Sequence, residues 1–150
     1  MPITRADATQ AMKDIFFAAW KQKSPAFNNS VMVTVDFDNK EDPEPPDPKQ
    51  PRAVFMIRHA DQPQVTIAPK GSRRYRAQGS VFVNVKCPLG EGTKRGEALC
   101  KIVSDAMRGA VPAGGDAVTL RKAVTREYGR LDNTFYEWIV EVAFEYDEIA

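Results

Sequence analysis

The sequence predicts an α+β fold, a mostly antiparallel β-sheet with two helices packed on one face and a long β-hairpin. Two segments repeat apolar residues every three or four positions, which is typical of amphipathic helices. Most other apolar segments alternate with a period of two, which is typical of strands in a half-buried antiparallel sheet. By its length, the 150-residue chain is expected to be one domain, residues 1–150, with its own buried core.

The last strand, predicted over residues 133–146, shows the alternation most clearly. One face carries Glu137, Glu141 and Glu145, about 13 Å apart at each step, too far for an acid–base pair or a metal site. That face is expected to be wet or held by a partner. The other face is a continuous apolar surface formed by Tyr136, Trp138, Val140, Val142, Phe144 and Tyr146.

The first helix is predicted over residues 5–23. Thr4 followed by Asp7 resembles a capping box, and Ser24 with Pro25 ends the helical pattern. We expect the helix to pack across the sheet through one apolar stripe. The stripe consists of Ala8, Met12, Ile15, Phe16, Ala19 and Trp20.

An acidic, proline-rich loop is predicted over residues 38–51, after a strand at Val31–Phe37. Five prolines interrupt it, and between Asp36 and Lys49 six acids face two lysines. Proline removes backbone donors and favours extended conformations, so we expect an exposed loop or arm. A disordered connector and a proline-rich recognition ligand are the two interpretations of this composition.

A long hairpin is predicted at about residues 64–86, after a strand at Arg52–His59. Residues 64–68 would form a third strand or continue the second, and residues 78–86 the returning strand. The tip or stem of the hairpin carries a basic stretch of four residues. These are Arg73, Arg74, Tyr75 and Arg76.

A second helix is predicted after Thr93, which can act as its N-cap, and Gly109 ends it. A further strand follows at Val118–Val124, then a turn over 128–133. The apolar stripe of the helix is formed by Leu99, Ile102, Val103, Ala106 and Met107.

The sequence offers little support for an enzyme. A hydrolase would have to use Cys87 or Cys100 with His59, the only histidine, and neither cysteine has the companions of a nucleophilic dyad or a zinc site. We therefore expect free thiols, no metal and no cofactor.

Charge and hydropathy give no reason to expect a membrane partner. The net charge is +1, and no apolar run approaches the length needed to cross a bilayer. The first residues lack the apolar core of a signal peptide. We expect a protein that is made and used in solution inside a cell.

The basic stretch has three interpretations. It could bind nucleic acid, with Tyr75 stacking on a base, although most of the remaining charged segments are acidic. It could be a solvated hairpin. It could also meet acids on a neighbouring copy, because guanidinium groups pair well with carboxylates in partly dehydrated interfaces.

The chain resembles the tail terminator (tail completion) proteins of long-tailed bacteriophages and the related phage neck proteins. The resemblance extends from the first helix, with Phe16-Phe-Ala-Ala-Trp20, to the final strand. Between them lie the early strand and the acidic, proline-containing loop. The further shared stretches are Gly71-Ser-Arg-Arg-Tyr-Arg-Ala-Gln-Gly-Ser-Val-Phe-Val83, Pro88-Leu-Gly-Glu-Gly-Thr93 and Phe135-Tyr-Glu-Trp-Ile-Val-Glu-Val-Ala-Phe-Glu-Tyr-Asp-Glu148.

The resemblance implies a homohexameric ring in the neck region of a virion, assembled in the host cytoplasm. Such a ring seats on the tail tube protein, stops tube growth and receives the head-closure or neck protein on its other side. Arg73–Arg76 would then contact another subunit or the tube. Glu137, Glu141 and Glu145 are candidates for an interface, or for an acidic lumen through which DNA passes without specific binding. A head-closure (stopper) or other neck protein, and a nucleic-acid-binding module, are the alternatives.

Overall fold

The structure is a computed structural model that describes residues 4–37, 47–60, 66–110, 118–130 and 134–149. Within these ranges it contains two α-helices, a short 3-10 helix at Ser24–Phe27 and five strands. In chain order the helices and strands are α1 (Arg5–Lys23), β1 (Thr34–Phe37), β2 (Arg52–His59), β3 (Arg74–Pro88), α2 (Lys94–Met107), β4 (Val118–Arg130) and β5 (Phe135–Ile149).

The five strands form one sheet in the order β1-β2-β3-β5-β4. β1 runs parallel to β2, and every other neighbouring pair is antiparallel. The predicted fold class is thereby confirmed: two helices accompany a mainly antiparallel sheet. Within the described ranges, neither helix is long and apolar enough to cross a lipid bilayer.

Both helices pack on the same face of the sheet, which we call the inner face. Phe16 of α1 meets three aromatic rings, with centroid distances of 5.4 Å to Trp20, 4.8 Å to Phe55 and 6.3 Å to Phe37. The predicted stripe of β5 lies here, with Trp138, Val140, Val142, Phe144 and Tyr146 buried and Tyr136 partly buried.

The start and end of α1 follow the sequence prediction. The Thr4 hydroxyl accepts a hydrogen bond from the Asp7 amide at 3.1 Å. Beyond the helix, the Trp20 indole donates to the Val33 carbonyl at 2.8 Å, and the Val33 amide donates to the Ser24 hydroxyl at 3.1 Å. These bonds attach the chain after the 3-10 helix to the end of α1.

Thr93 is the N-cap residue of α2, as predicted, but it does not cap the helix through its side chain. The Thr93 side chain makes no capping bond; instead its carbonyl accepts from the Glu97 amide at 2.9 Å. Gly96, in the first turn, lies directly against the Trp138 ring, where a Cβ atom would fall 2.2 Å from Cη2. A glycine is therefore required for this close approach of α2 to β5.

The predicted hairpin over residues 64–86 is wrong in its boundaries. Residues 66–73 form a loop rather than a strand, and 64–65 lie outside the described residues. Arg74–Pro88 is one long strand, whose antiparallel partners are β2 on one side and β5 on the other. Only 79–86 of β3 pair with β2, so its first residues reach beyond that neighbour.

Boundaries of two other strands also differ from the prediction. β1 starts at Thr34 rather than Val31, and β4 continues to Arg130, through part of the expected turn. Of the acidic, proline-rich loop, residues 38–46 lie outside the described part. Residues 47–50 are exposed as expected, but Pro51 is buried beside the start of β2.

Candidate interaction surface

The second face of the sheet, which we call the outer face, is not packed against either described helix. Its centre is apolar: Val54 and Met56 of β2, Phe82 of β3 and Ile139 of β5 are all partly buried there. Charged side chains lie around this centre. An apolar centre with a polar rim is the usual composition of a protein–protein interface.

Both sets of predicted site residues contribute to this outer face. The antiparallel pairing of β3 with β5 has no register shift, so opposed residues point to the same side. Arg76 lies opposite Asp147, and Gln78 lies opposite Glu145. Arg74 and Arg76 therefore share a surface with Glu137, Glu141 and Glu145.

The two arginines contact an acid of their own chain. Arg76 Nε lies 3.0 Å from Asp147 Oδ1, and Arg74 Nε lies 3.7 Å from Asp147 Oδ2. Hydrogen bonding to Asp147 also raises the pKa of the Arg76 guanidinium. Asp147 is not among the residues predicted from the sequence, although it continues the glutamate alternation two residues past Glu145.

The other two members of the basic stretch lie elsewhere. Tyr75 alternates with Arg74 and Arg76 and so points to the opposite face of the sheet. Arg73 precedes the strand, and its Nε donates to the Ala68 carbonyl at 2.9 Å. The four residues do not form one surface, which argues against Tyr75 stacking on a base while both neighbouring arginines hold phosphates.

Each of the three predicted glutamates of β5 has a cation from a neighbouring strand. Arg121 pairs with Glu145, and Arg126 lies 3.5 Å from Glu141. Both arginines are on β4, where a register shift between Leu120 and Ala123 interrupts the alternation. Neither arginine is identifiable from the sequence, because β4 becomes a neighbour of β5 only in the folded sheet.

Glu137 is the most enclosed of the three glutamates, with only 6% of its surface exposed. Lys86 Nζ lies 3.6 Å from Glu137 Oε1, and the Asn84 side-chain amide donates a hydrogen bond to the same oxygen at 3.2 Å. The row predicted as a carboxylate ladder is thus a row of ion pairs. Its charge is largely compensated within one chain, which weakens the expectation of an acidic lumen.

Asn84 also carries an unsatisfied acceptor. Its Oδ1 is buried, and no hydrogen-bond donor reaches it among the residues the structure describes. Buried polar atoms are normally paired, so this acceptor is an exception among the paired polar groups around it. It lies on the outer face, opposite Val54 and Ile139.

The cysteines and the histidine are not arranged as a catalytic pair. His59 lies opposite Gly79, and Cys87 is eight residues further along β3, about 26 Å away. The His59 ring is 3.0 Å from the Tyr146 hydroxyl, and burial, followed by the charge of Arg5, lowers its pKa. Within the described ranges, no cluster of His, Cys, Asp and Glu could hold a metal ion.

We expect the fold to lose stability in alkali through its two thiols. Burial raises the pKa of Cys87 and of Cys100 from 9.0 to about 12. The thiols of the unfolded chain therefore ionise at a lower pH than those of the folded chain. The contribution of the buried thiols to the free energy of unfolding is complete below pH 9 and is lost as the pH rises towards 12. Between pH 8 and about pH 10.5 the loss should be up to about 2 kcal/mol per thiol, measured by urea unfolding.

A variant with both cysteines changed to alanine is the control. It should be less stable at pH 8 but lose less between the two pH values than the parent chain. Tyr146, whose pKa burial raises to about 12, supplies an alkaline loss common to both proteins. Equal losses in parent and variant would contradict the prediction.

Comparison with known proteins provides a fold match only. No protein-family model and no curated protein sequence matches the chain. Eighteen chains of solved structures match, and one of them aligns with a TM-score of 0.55 and 16% sequence identity, over 89% of this chain and 94% of its own length. At this identity, the likeness shows a shared fold and nothing about activity.

Proposed function

We propose that the chain is a virion structural protein of the tail terminator kind, which forms a ring on the phage tail tube, ends tube polymerisation and provides the joint to the head. The observation that carries the proposal is the composition of the outer face. An apolar centre, ringed by compensated charges, suits contact with protein better than contact with nucleic acid. The resemblance in sequence supplies the identity of the assembly.

Ring closure requires two different surfaces on each subunit, because a heterologous contact joins one patch to another. The outer face offers the first. The exposed end of β4 offers a second, since Thr125, Arg126, Glu127 and Tyr128 are all exposed. An edge strand of this kind has unpaired backbone groups available to a neighbour.

The ion pairs of the outer face also favour contact between copies. Arg74 is exposed, and Arg76 and Asp147 are only partly buried, so a neighbouring carboxylate or guanidinium can join the network without a large desolvation cost. The other partners in this proposal are the tail tube protein, the head-closure or neck protein, and DNA that passes through the lumen without specific binding.

The test is the oligomeric state of the full chain and of two glutamate variants. Met56→Glu places a charge in the apolar centre of the outer face, whereas Ala18→Glu adds the same charge at an exposed position of α1. By light scattering and electron microscopy, the parent and Ala18→Glu should form rings, and Met56→Glu should remain a folded monomer. Added to growing tail tubes, the ring-forming proteins should seat on tube ends and stop elongation.

Two outcomes would overturn the proposal. One is a parent chain that stays monomeric both alone and with tail tubes. The other is a change in DNA affinity, rather than in assembly, when Arg74 and Arg76 are reversed to glutamate, because that result would favour the nucleic-acid module.

A further inference from the structure

A groove separates the end of α1 and the 3-10 helix from α2. It has a volume of about 490 Å³, within the range of small-ligand and peptide sites. The apolar part of its lining is formed by Ala26, Phe27, Ala98 and Ile102. Phe27 is 39% exposed and supplies the aromatic side chain of this lining.

The wall that carries Phe27 is held in place. The turn after it places two consecutive non-glycine residues at positive φ, Asn29 at 50° and Ser30 at 67°. Hydrogen bonds to the Pro25 carbonyl from Asn28 and Ser30 close this turn. Residues hold such a conformation only where the surroundings fix it, and this often occurs at binding sites.

A second contact fixes the same wall to α2. Arg95 reaches across to the Phe27 carbonyl at 3.4 Å, while Glu91 holds the other side of its guanidinium at 2.5 Å. The groove is therefore formed before any ligand arrives. A preformed site loses less conformational entropy on binding than one that must be ordered.

The rim of the groove is basic. Lys23 and Lys101 line it together with a single acid, Asp105. Lys101 lies 2.8 Å and Arg108 3.8 Å from that acid, so the single carboxylate is shared by two cations. An apolar groove with an aromatic wall and surplus positive charge is suited to an extended, proline-containing, acidic peptide.

The chain itself contains a peptide of this composition. Residues 38–51 include five prolines, of which Pro51 is buried beside β2, and five acids against two lysines, a net charge of −3. Residues 38–46 lie outside the described part of the chain. The match between this segment and the groove is therefore one of composition. Proline rings can stack on Phe27, and the acids can pair with Lys23 and Lys101.

We infer that the groove binds the acidic, proline-rich segment of a neighbouring copy of this chain. The inference rests on the proposed function only for the presence of neighbouring copies. It assigns the segment a role as a strap between subunits. The groove and the segment are different surfaces of one chain, as a closed ring requires.

The first test measures binding of a labelled peptide of residues 38–51, by fluorescence anisotropy, to a full chain that cannot use its own segment. This chain carries Met56→Glu together with Asp38→Asn, Glu41→Gln, Asp42→Asn and Glu44→Gln. Saturable binding that weakens with salt is expected. Phe27→Ala and Lys101→Glu should each weaken it about tenfold or more.

Val31→Ala is the matched control for these variants. Val31 is 63% exposed and four residues from Phe27, but it does not line the groove. With Val31→Ala, the affinity for the peptide should equal that of the same chain with Val31. The inference is overturned if no binding occurs at millimolar peptide, or if Phe27→Ala binds the peptide as tightly as the chain with Phe27. As a second control, a peptide with all five prolines changed to alanine should bind weakly.

The second test asks whether the segment comes from another copy. Assemblies mixed from ¹⁵N-labelled and unlabelled chains are treated with a carbodiimide, which joins lysines to nearby acids. Mixed-isotope links from Lys23 or Lys101 to residues 38–47 are expected, and same-isotope links alone would overturn the inference. Peptide binding without rings would leave the groove assignment standing while the proposed function fails.

Discussion

Replacing Gly96 with alanine is expected to destabilise the protein by about 2 kcal/mol. The added Cβ would lie 2.2 Å from Trp138 Cη2 and Cζ3, far inside contact distance. The indole cannot move aside, because Trp138 is only 1% exposed. The clash should cost up to about 3 kcal/mol, which exceeds the gain of about 1 kcal/mol from alanine's higher helix propensity.

A double-mutant cycle isolates this contact. In a Trp138→Leu background the ring is gone, so Gly96→Ala should be neutral or stabilising, as helix propensity predicts. Urea unfolding of the four proteins gives the coupling. If Gly96→Ala raised stability in the parent chain, the packing of α2 on β5 would be incorrectly described.

Phe16→Ala is expected to cost about 4 kcal/mol of unfolding free energy, a larger loss than that from Gly96→Ala. The Phe16 ring, 1% exposed, contacts Trp20, Phe37 and Phe55 at the junction of α1 with β1 and β2. Removing it leaves a cavity between aromatic rings that cannot collapse without shifting the helix.

Phe17→Ala provides the matched control. It is the same change at the next position of the same helix, but Phe17 is only partly buried and meets Phe37 alone among the described rings, at 5.9 Å. Its loss of unfolding free energy should be less than half that of Phe16→Ala. Equal losses would mean that the helix faces the sheet differently.

The sequence predicted the helices and central strands well, because burial imposes a period on them. Arg5–Lys23 and Arg52–His59 have the predicted boundaries. The start of β3 and the end of β4, in contrast, were predicted poorly from the sequence. Arg74 and Arg126–Tyr128 lie where both sides of a strand are polar or exposed, so no alternation identifies them.

The interaction surfaces depend on neighbours that are distant in sequence. Glu145 meets Arg121 only because β5 inserts beside β4, and Phe27 lines a groove only because α2 packs opposite it. The sequence indicated which residues were charged or aromatic. It could not indicate which of them the sheet order and the helix packing would bring together.

The position of β5 in the sheet has a consequence for synthesis on the ribosome. β3 is complete at Pro88, but the strand that pairs with its second side begins only at Phe135. While the intervening residues are translated, a nascent strand of 15 residues keeps one edge open. Such an edge is a template for misassembly between polysomal neighbours, so the nascent chain is most vulnerable before its final strand emerges and closes the gap.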